Sequence, residues 1–160
     1  MRHSLFIFIV LIAAVFSNAK TPTRQDLIRE LTGQEAWTDV DAYGRIIQLS
    51  RENKLREALD AVKAFEQVFP KSSLLAQVKI AQANVFVAQA KYGRAIAALD
   101  SVEKNEPQSL KMPAVILLKS QIYEKWGLQD LAREKKEQVI RRFAGSPESF
   151  QAGYSLKSAR

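Results

Sequence analysis

Apolar residues in this chain return at three- and four-residue steps, the spacing of one face of an α-helix. The clearest run is Leu55, Ala58, Leu59, Val62, Phe65 and Phe69, which Pro70 ends because a ring without an N–H cannot continue the helical ladder. Before it, Tyr43, Ile46, Ile47 and Leu49 form an apolar face that runs to about Glu52 and starts at Thr38, with Asp41 placed as its capping-box partner. Asn53-Lys54 makes the turn between the two helices. The order then recurs. Ser72 or Ser73 caps a stripe of Leu74, Val78, Ala81, Val85 and Ala88 with Phe86 beside it, Tyr92-Gly93 turns the chain, and Ala95, Ile96, Leu99 and Val102 line the return to Pro107. A third pair begins near Ser109, with Pro113 in the first turn, where its missing N–H costs little. Val115 to Leu118 is apolar all round, which predicts the most buried helix, and Ile122, Tyr123 and Trp126 carry its face to Gly127. Leu128, Leu131, Ala132, Val139, Ile140 and Phe143 line the return, and Ser146-Pro147-Glu148 starts a last short helix to about Leu156. Period-two alternation of convincing length is absent from the sequence, so the fold class is all-α.

The helices share a phase. Ala58, Ala95 and Ala132 are 37 residues apart, and Pro70 and Pro107 each stand 12 residues after their alanine. A fixed period built from a small residue, an apolar face and a terminating Pro predicts stacked helix-turn-helix units. The expected architecture over 38–156 is an α-solenoid of about three helix pairs with short flanking helices, followed by a tail at 157–160. Residues 20–37 are polar. There Thr23 with Asp26, the stripe Leu27, Ile28 and Leu31, and the stop at Gly33 give either an N-terminal arm or a short capping helix over about 24–32.

The segment Tyr123-Glu124-Lys125-Trp126-Gly127, then Leu131-Ala132, then Val139 to Pro147 resembles a tetratricopeptide repeat (TPR). The closing Arg-Phe-Ala-Gly-Ser-Pro is loosely similar to repeats of exported bacterial members, such as outer-membrane-assembly lipoproteins and Tol-Pal division coordinators. The period departs from the family's usual ~34 residues, the extra length lying between each Pro and the next Ala, in the first helix or in the loop before it. No Cys is present to carry a lipid. The resemblance implies a concave face, formed by the first helix of each pair, that holds a partner peptide. Carried onto this chain, that groove comprises Tyr43, Ile47, Ser50 and Arg51, then Gln77, Asn84 and Val87, then Gln121, Glu124 and Lys125. Asn84 matches a position where some members hold a terminal carboxylate, but Ile80 stands where their lysine would be.

Composition changes the picture in three ways. Arg2 and His3, the twelve-residue apolar run Leu5 to Phe16, and Ser17-Asn18-Ala19 read as a signal peptide cleaved after Ala19, since a spanning helix needs about 20 apolar residues. Export places the mature chain in a periplasm or on an outer cell surface. The only His lies in that segment and the chain has no Cys, which removes the commonest general base, zinc ligands and thiol nucleophile together. The expectation is therefore a non-enzymatic protein, without cofactor or metal, whose partner is another envelope protein or peptide and not nucleic acid. Residues 111–160 carry a net +5, and Arg133, Lys135, Lys136, Arg141 and Arg142 concentrate it. That basic patch offers a second binding mode, toward an acidic envelope polymer or a membrane surface. Cations near helix C-termini and interleaved Glu134 and Glu137 equally describe a solvated helix face.

Overall fold

The computed structural model describes residues 38–158; the expected signal peptide and the arm or capping helix lie outside them. The described chain folds into seven helices: α1 Asp39–Arg51, α2 Leu55–Val68, α3 Leu75–Ala88, α4 Tyr92–Asn105, α5 Met112–Trp126, α6 Gln129–Arg142 and α7 Pro147–Ser158. No strand occurs among the described residues. Each helix packs on the next, α1 also lies beside α3, and α5 beside α7, as in an α-solenoid. The step from α3 to α5 is wider than these two.

The period seen in the sequence is also a period of the backbone. α2, α4 and α6 each have fourteen residues and begin 37 residues apart. Their fourth residues, Ala58, Ala95 and Ala132, are 0%, 0% and 1% exposed. Ala58 shares a core cluster with Leu49 and Val85, and Ala95 shares one with Phe86 and Ile122, which stand 37 residues further on. Only a methyl group fits where the ends of two successive first helices meet the start of a second helix. The seam is small at the midpoint too: Ala83 and Ser120 are both 0% exposed, and Ser120 Oγ donates to the Leu117 carbonyl at 2.7 Å. The first pair has Ile46 at this position, also 0% exposed, and α1 and α2 pack less closely than the later pairs. Seven residues of α5 are buried, more than in any other helix, as its apolar run predicts.

Each first helix ends in the same way. The N–H groups of Lys54, Lys91 and Leu128 donate back to the carbonyls of Leu49, Phe86 and Tyr123 at 2.9, 2.8 and 2.9 Å. This six-to-one bond needs a left-handed residue just before the donor. Asn53 (φ 58°), Ala90 (φ 55°) and Gly127 (φ 84°) supply it. The turn of the second pair is therefore Gln89–Lys91, and Tyr92-Gly93, expected as the turn, belongs to α4. Gly93 instead lies against Trp126, where an added Cβ would make an ordinary contact at 3.6 Å. Of the three left-handed residues, alanine alone has neither glycine's freedom nor asparagine's local hydrogen bonding. Ala90→Gly should raise stability by about 1 kcal/mol, read as a higher urea midpoint at unchanged slope.

The connections between pairs, 69–74 and 106–111, have six residues each, while the first helices are no longer than the second ones by more than one residue. The extra length of the period therefore lies in the loop. Ser72, Ser109 and Ser146 donate their N–H groups to the carbonyls of Phe69, Glu106 and Phe143 at 3.1, 2.9 and 3.0 Å. α3 and α5 begin three residues after their serines, later than the expected caps, and only Ser146 directly precedes its helix, where its Oγ accepts from Ser149 N at 3.1 Å. Thr38 and Asp41 form the predicted capping box, with Thr38 Oγ1 donating to Asp41 Oδ2 at 2.7 Å. That bond, with the Thr38 backbone N–H, holds the Asp41 carboxyl below its ordinary pKa.

Ion pairs tie neighbouring helices together. Glu66 of α2 meets Lys79 of α3 at 2.5 Å, and Glu103 of α4, 37 residues after Glu66, meets Lys119 of α5 at 3.0 Å, although Ile116 is the residue 37 after Lys79. Lys119 is 4% exposed and also donates to Asp100 at 2.7 Å.

Candidate functional site

The residues assigned to the groove all fall on the first helices α1, α3 and α5, but the structure uses several of them internally. Tyr43 and Ile47 are half-buried against the cluster of Ile46, Val62, Phe65 and Val78. Ser50 Oγ donates to its own helix at the Ile46 carbonyl (2.8 Å). Val87 packs on the larger core, and Gln77 is half-buried with its Oε1 buried and unpaired. Glu124 turns to the Lys136 ammonium. Arg51, Asn84 and Lys125 are exposed, and Gln121 is half-buried. The α1 and α3 members sit on adjacent helices, while the wider step to α5 separates Gln121 and Lys125 from them.

The basic patch is reduced in the same way. Lys136 is 4% exposed: its ammonium bonds Glu124 and, at 2.6 Å, Ser155 Oγ of α7. It is a corner post of the last three helices, not a surface cation. Its position follows from the period, because Lys136 stands 37 residues after Leu99, itself 37 after Val62, and both are 0% exposed. Lys135 donates to Gln138 and Glu134 at 3.1 and 3.3 Å, and Arg141 to Glu137 at 3.2 Å. Arg142 lies over the Phe143 ring, 5.3 Å from its centroid. Arg133 borders a cleft of about 140 Å³ that it shares with Glu124, Lys136 and Glu137, so the charges there nearly cancel.

A larger cleft, of about 310 Å³, opens where the N-terminal turns of α2 and α4 come beside the C-terminal half of α3. Leu59 and Phe86 give it an apolar floor, Gln82 and Gln89 contribute amides, and Arg56, Lys63, Lys91 and Arg94 bring four cations against the single carboxylate of Asp60. Lys63 takes that carboxylate at 3.1 Å. Arg94 is held over the Phe86 ring, 4.8 Å from its centroid, and Lys91 Nζ donates to Gln89 Oε1 at 2.7 Å. Arg56, Lys91 and Arg94 have no carboxylate partner among the described residues. Periodicity alone leaves Lys91 and Arg94 unremarked. The available signal was the repeat phase: Glu57, an acid suited to the first turn of α2, becomes Arg94 in α4.

No group of carboxylates, His or Cys among the described residues is arranged to hold a metal ion, and no helix among them is long and apolar enough to cross a membrane. The fold thus defines a class, an α-solenoid of stacked antiparallel helix pairs. In comparison with known proteins, no family model matches the chain, and no curated protein matches it.

Proposed function

We propose that this protein is a non-enzymatic binding scaffold of the cell envelope, of the TPR type, which holds a peptide or domain of another envelope protein against its first helices. The supporting observation is that Arg51, Asn84, Gln121 and Lys125 keep their polar groups outside the internal bonds of a regular stack. Amides presented from rigid helices bond an extended peptide backbone, and the partly buried Tyr43, Ile47 and Val87 beside them supply apolar contact. Export rests on the apolar run Leu5 to Phe16 and the small residues before Lys20. The alternative, an acidic polymer or membrane surface bound through the C-terminal helices, has less support, because Lys136 is turned inward and Arg141 is paired.

Site-specific photocrosslinking in the native envelope tests the reading. A photoreactive residue at Asn84 or Lys125 should yield a discrete adduct with one partner, while the same residue at exposed Ala97 on α4 should not. The double variant Asn84→Ala with Gln121→Ala should weaken capture of that partner by roughly tenfold and leave the melting temperature within about 3 °C. Equal labelling from Ala97, or unweakened capture by the double variant, contradicts the assignment.

A further inference from the structure

We propose that the basic cleft between α2, α3 and the start of α4 is a second recognition site, which takes an acidic, extended segment of a protein partner. Three features converge on it. The first is charge: four cations face one carboxylate, and that carboxylate is already taken by Lys63. The second is placement. Arg56 and Arg94 stand in the first turns of α2 and α4, and Lys91 is the residue from which α4 starts. The unpaired N–H groups at a helix start repel cations and attract anions. α4 has no acidic residue in its first turn and no side chain capping it, so the helix itself offers nothing to offset the positive field. Local helix stability alone would favour an acid at Arg94, as at Glu57 of α2. The Phe86 ring holds Arg94 there without supplying a counter-charge, and proteins depart from such local rules mostly at functional positions. The third feature is preorganisation: stacking on Phe86 fixes the Arg94 guanidinium at the rim, with fewer rotamers left to lose on binding.

The lining selects among anions. A compact phosphate would use the cations and leave Leu59, Phe86, Gln82 and Gln89 idle. A peptide carrying carboxylates around an apolar side chain uses all of them: the carboxylates meet Arg56, Lys91 and Arg94, the apolar residue meets Leu59 and Phe86, and the glutamine amides bond the main chain. The site uses α2 and the start of α4, which the first-helix face does not, so it stands or falls independently of that face.

The test is fluorescence anisotropy of the purified protein at physiological ionic strength with a labelled Glu-Leu-Glu-Phe-Glu peptide, its Gln-for-Glu counterpart and inorganic phosphate as competitor. The acidic peptide should bind saturably, and the neutral one at least tenfold more weakly. Arg56→Glu with Arg94→Glu should weaken the acidic peptide by at least tenfold, whereas Arg133→Glu with Arg142→Glu, an identical change of net charge elsewhere, should weaken it less than about threefold. The cleft variant should remain folded, since Glu suits both helix starts; Lys91→Gln offers a milder probe, with a loss of about threefold expected. Equal weakening by the two double variants would reduce the effect to net charge and overturn the proposal. So would equal binding of the neutral peptide, or full displacement by phosphate at a concentration equal to that of the peptide.

Discussion

An Ala95→Asp variant should lose its cooperative thermal transition altogether. Ala95 is 0% exposed and shares its cluster with Phe86, Leu99, Val115 and Ile122, drawn from three helices of two successive pairs. A carboxylate there would stand among apolar side chains, so it is either buried without a hydrogen-bond partner or forces α4 away from α3 and α5. The loss should be roughly 4 kcal/mol or more, a large share of a small domain's whole stability. Ala97→Asp is the control. Ala97 is exposed on the same helix, so the same loss of helix propensity should cost only about 0.5 kcal/mol. Circular dichroism melts of the pair separate burial from propensity. Similar melts for both would mean that Ala95 does not lie in a seam.

The second large effect concerns Lys119. Neutralising its partners, with Asp100→Asn and Glu103→Gln together, leaves a buried ammonium without a counter-charge and should cost roughly 3 kcal/mol. Lys119→Met should behave oppositely, within about 1 kcal/mol of the parent, because Asp100 and Glu103 keep 55% and 29% of their side-chain surface and relax into water. The pH dependence has a definite sign. Burial pulls the Lys119 pKa down, but the hydrogen bonds and charges of Asp100 and Glu103 outweigh it, so the folded value lies above the ordinary 10.5. Its stabilisation is complete below pH 10.5 and is lost as pH rises through the folded value. Denaturant melts between pH 8 and 12 should therefore show the parent losing stability relative to Lys119→Met only at the alkaline end.

These two residues also mark how far the sequence can be read. Ala95 was legible because a stacked unit repeats its tightest contact, and repetition at 37 residues stands out against local noise. The capping box at Thr38 and the start at Ser146-Pro147 were legible because caps are local chemistry. Lys119 and Lys136 were not. A lysine on a helix ordinarily reaches water, and burial depends on carboxylates supplied by other helices, which no local pattern reports. Lys136 had one clue, the core phase it shares with Val62 and Leu99. The turn at Ala90 was missed because glycine is the stronger left-handed signal and Gly93 stands three residues away. For the sites, the first-helix assignment placed its residues on the intended helices, but side-chain spending such as Glu124 on Lys136 appears only in three dimensions. The basic cleft joins helix starts from two different pairs, so only stacking brings Arg56 and Arg94 to one opening.

The central claim is that one two-helix unit recurs in register along a continuous apolar seam. Methyl NOESY spectra measure this directly. The Ala58 methyl should show cross-peaks to Leu49 and Val85, and the Ala95 methyl to the Phe86 ring and Ile122, the same neighbours displaced by 37 residues. Cross-peaks from the two alanines to unrelated positions, or to solvent alone, would contradict it.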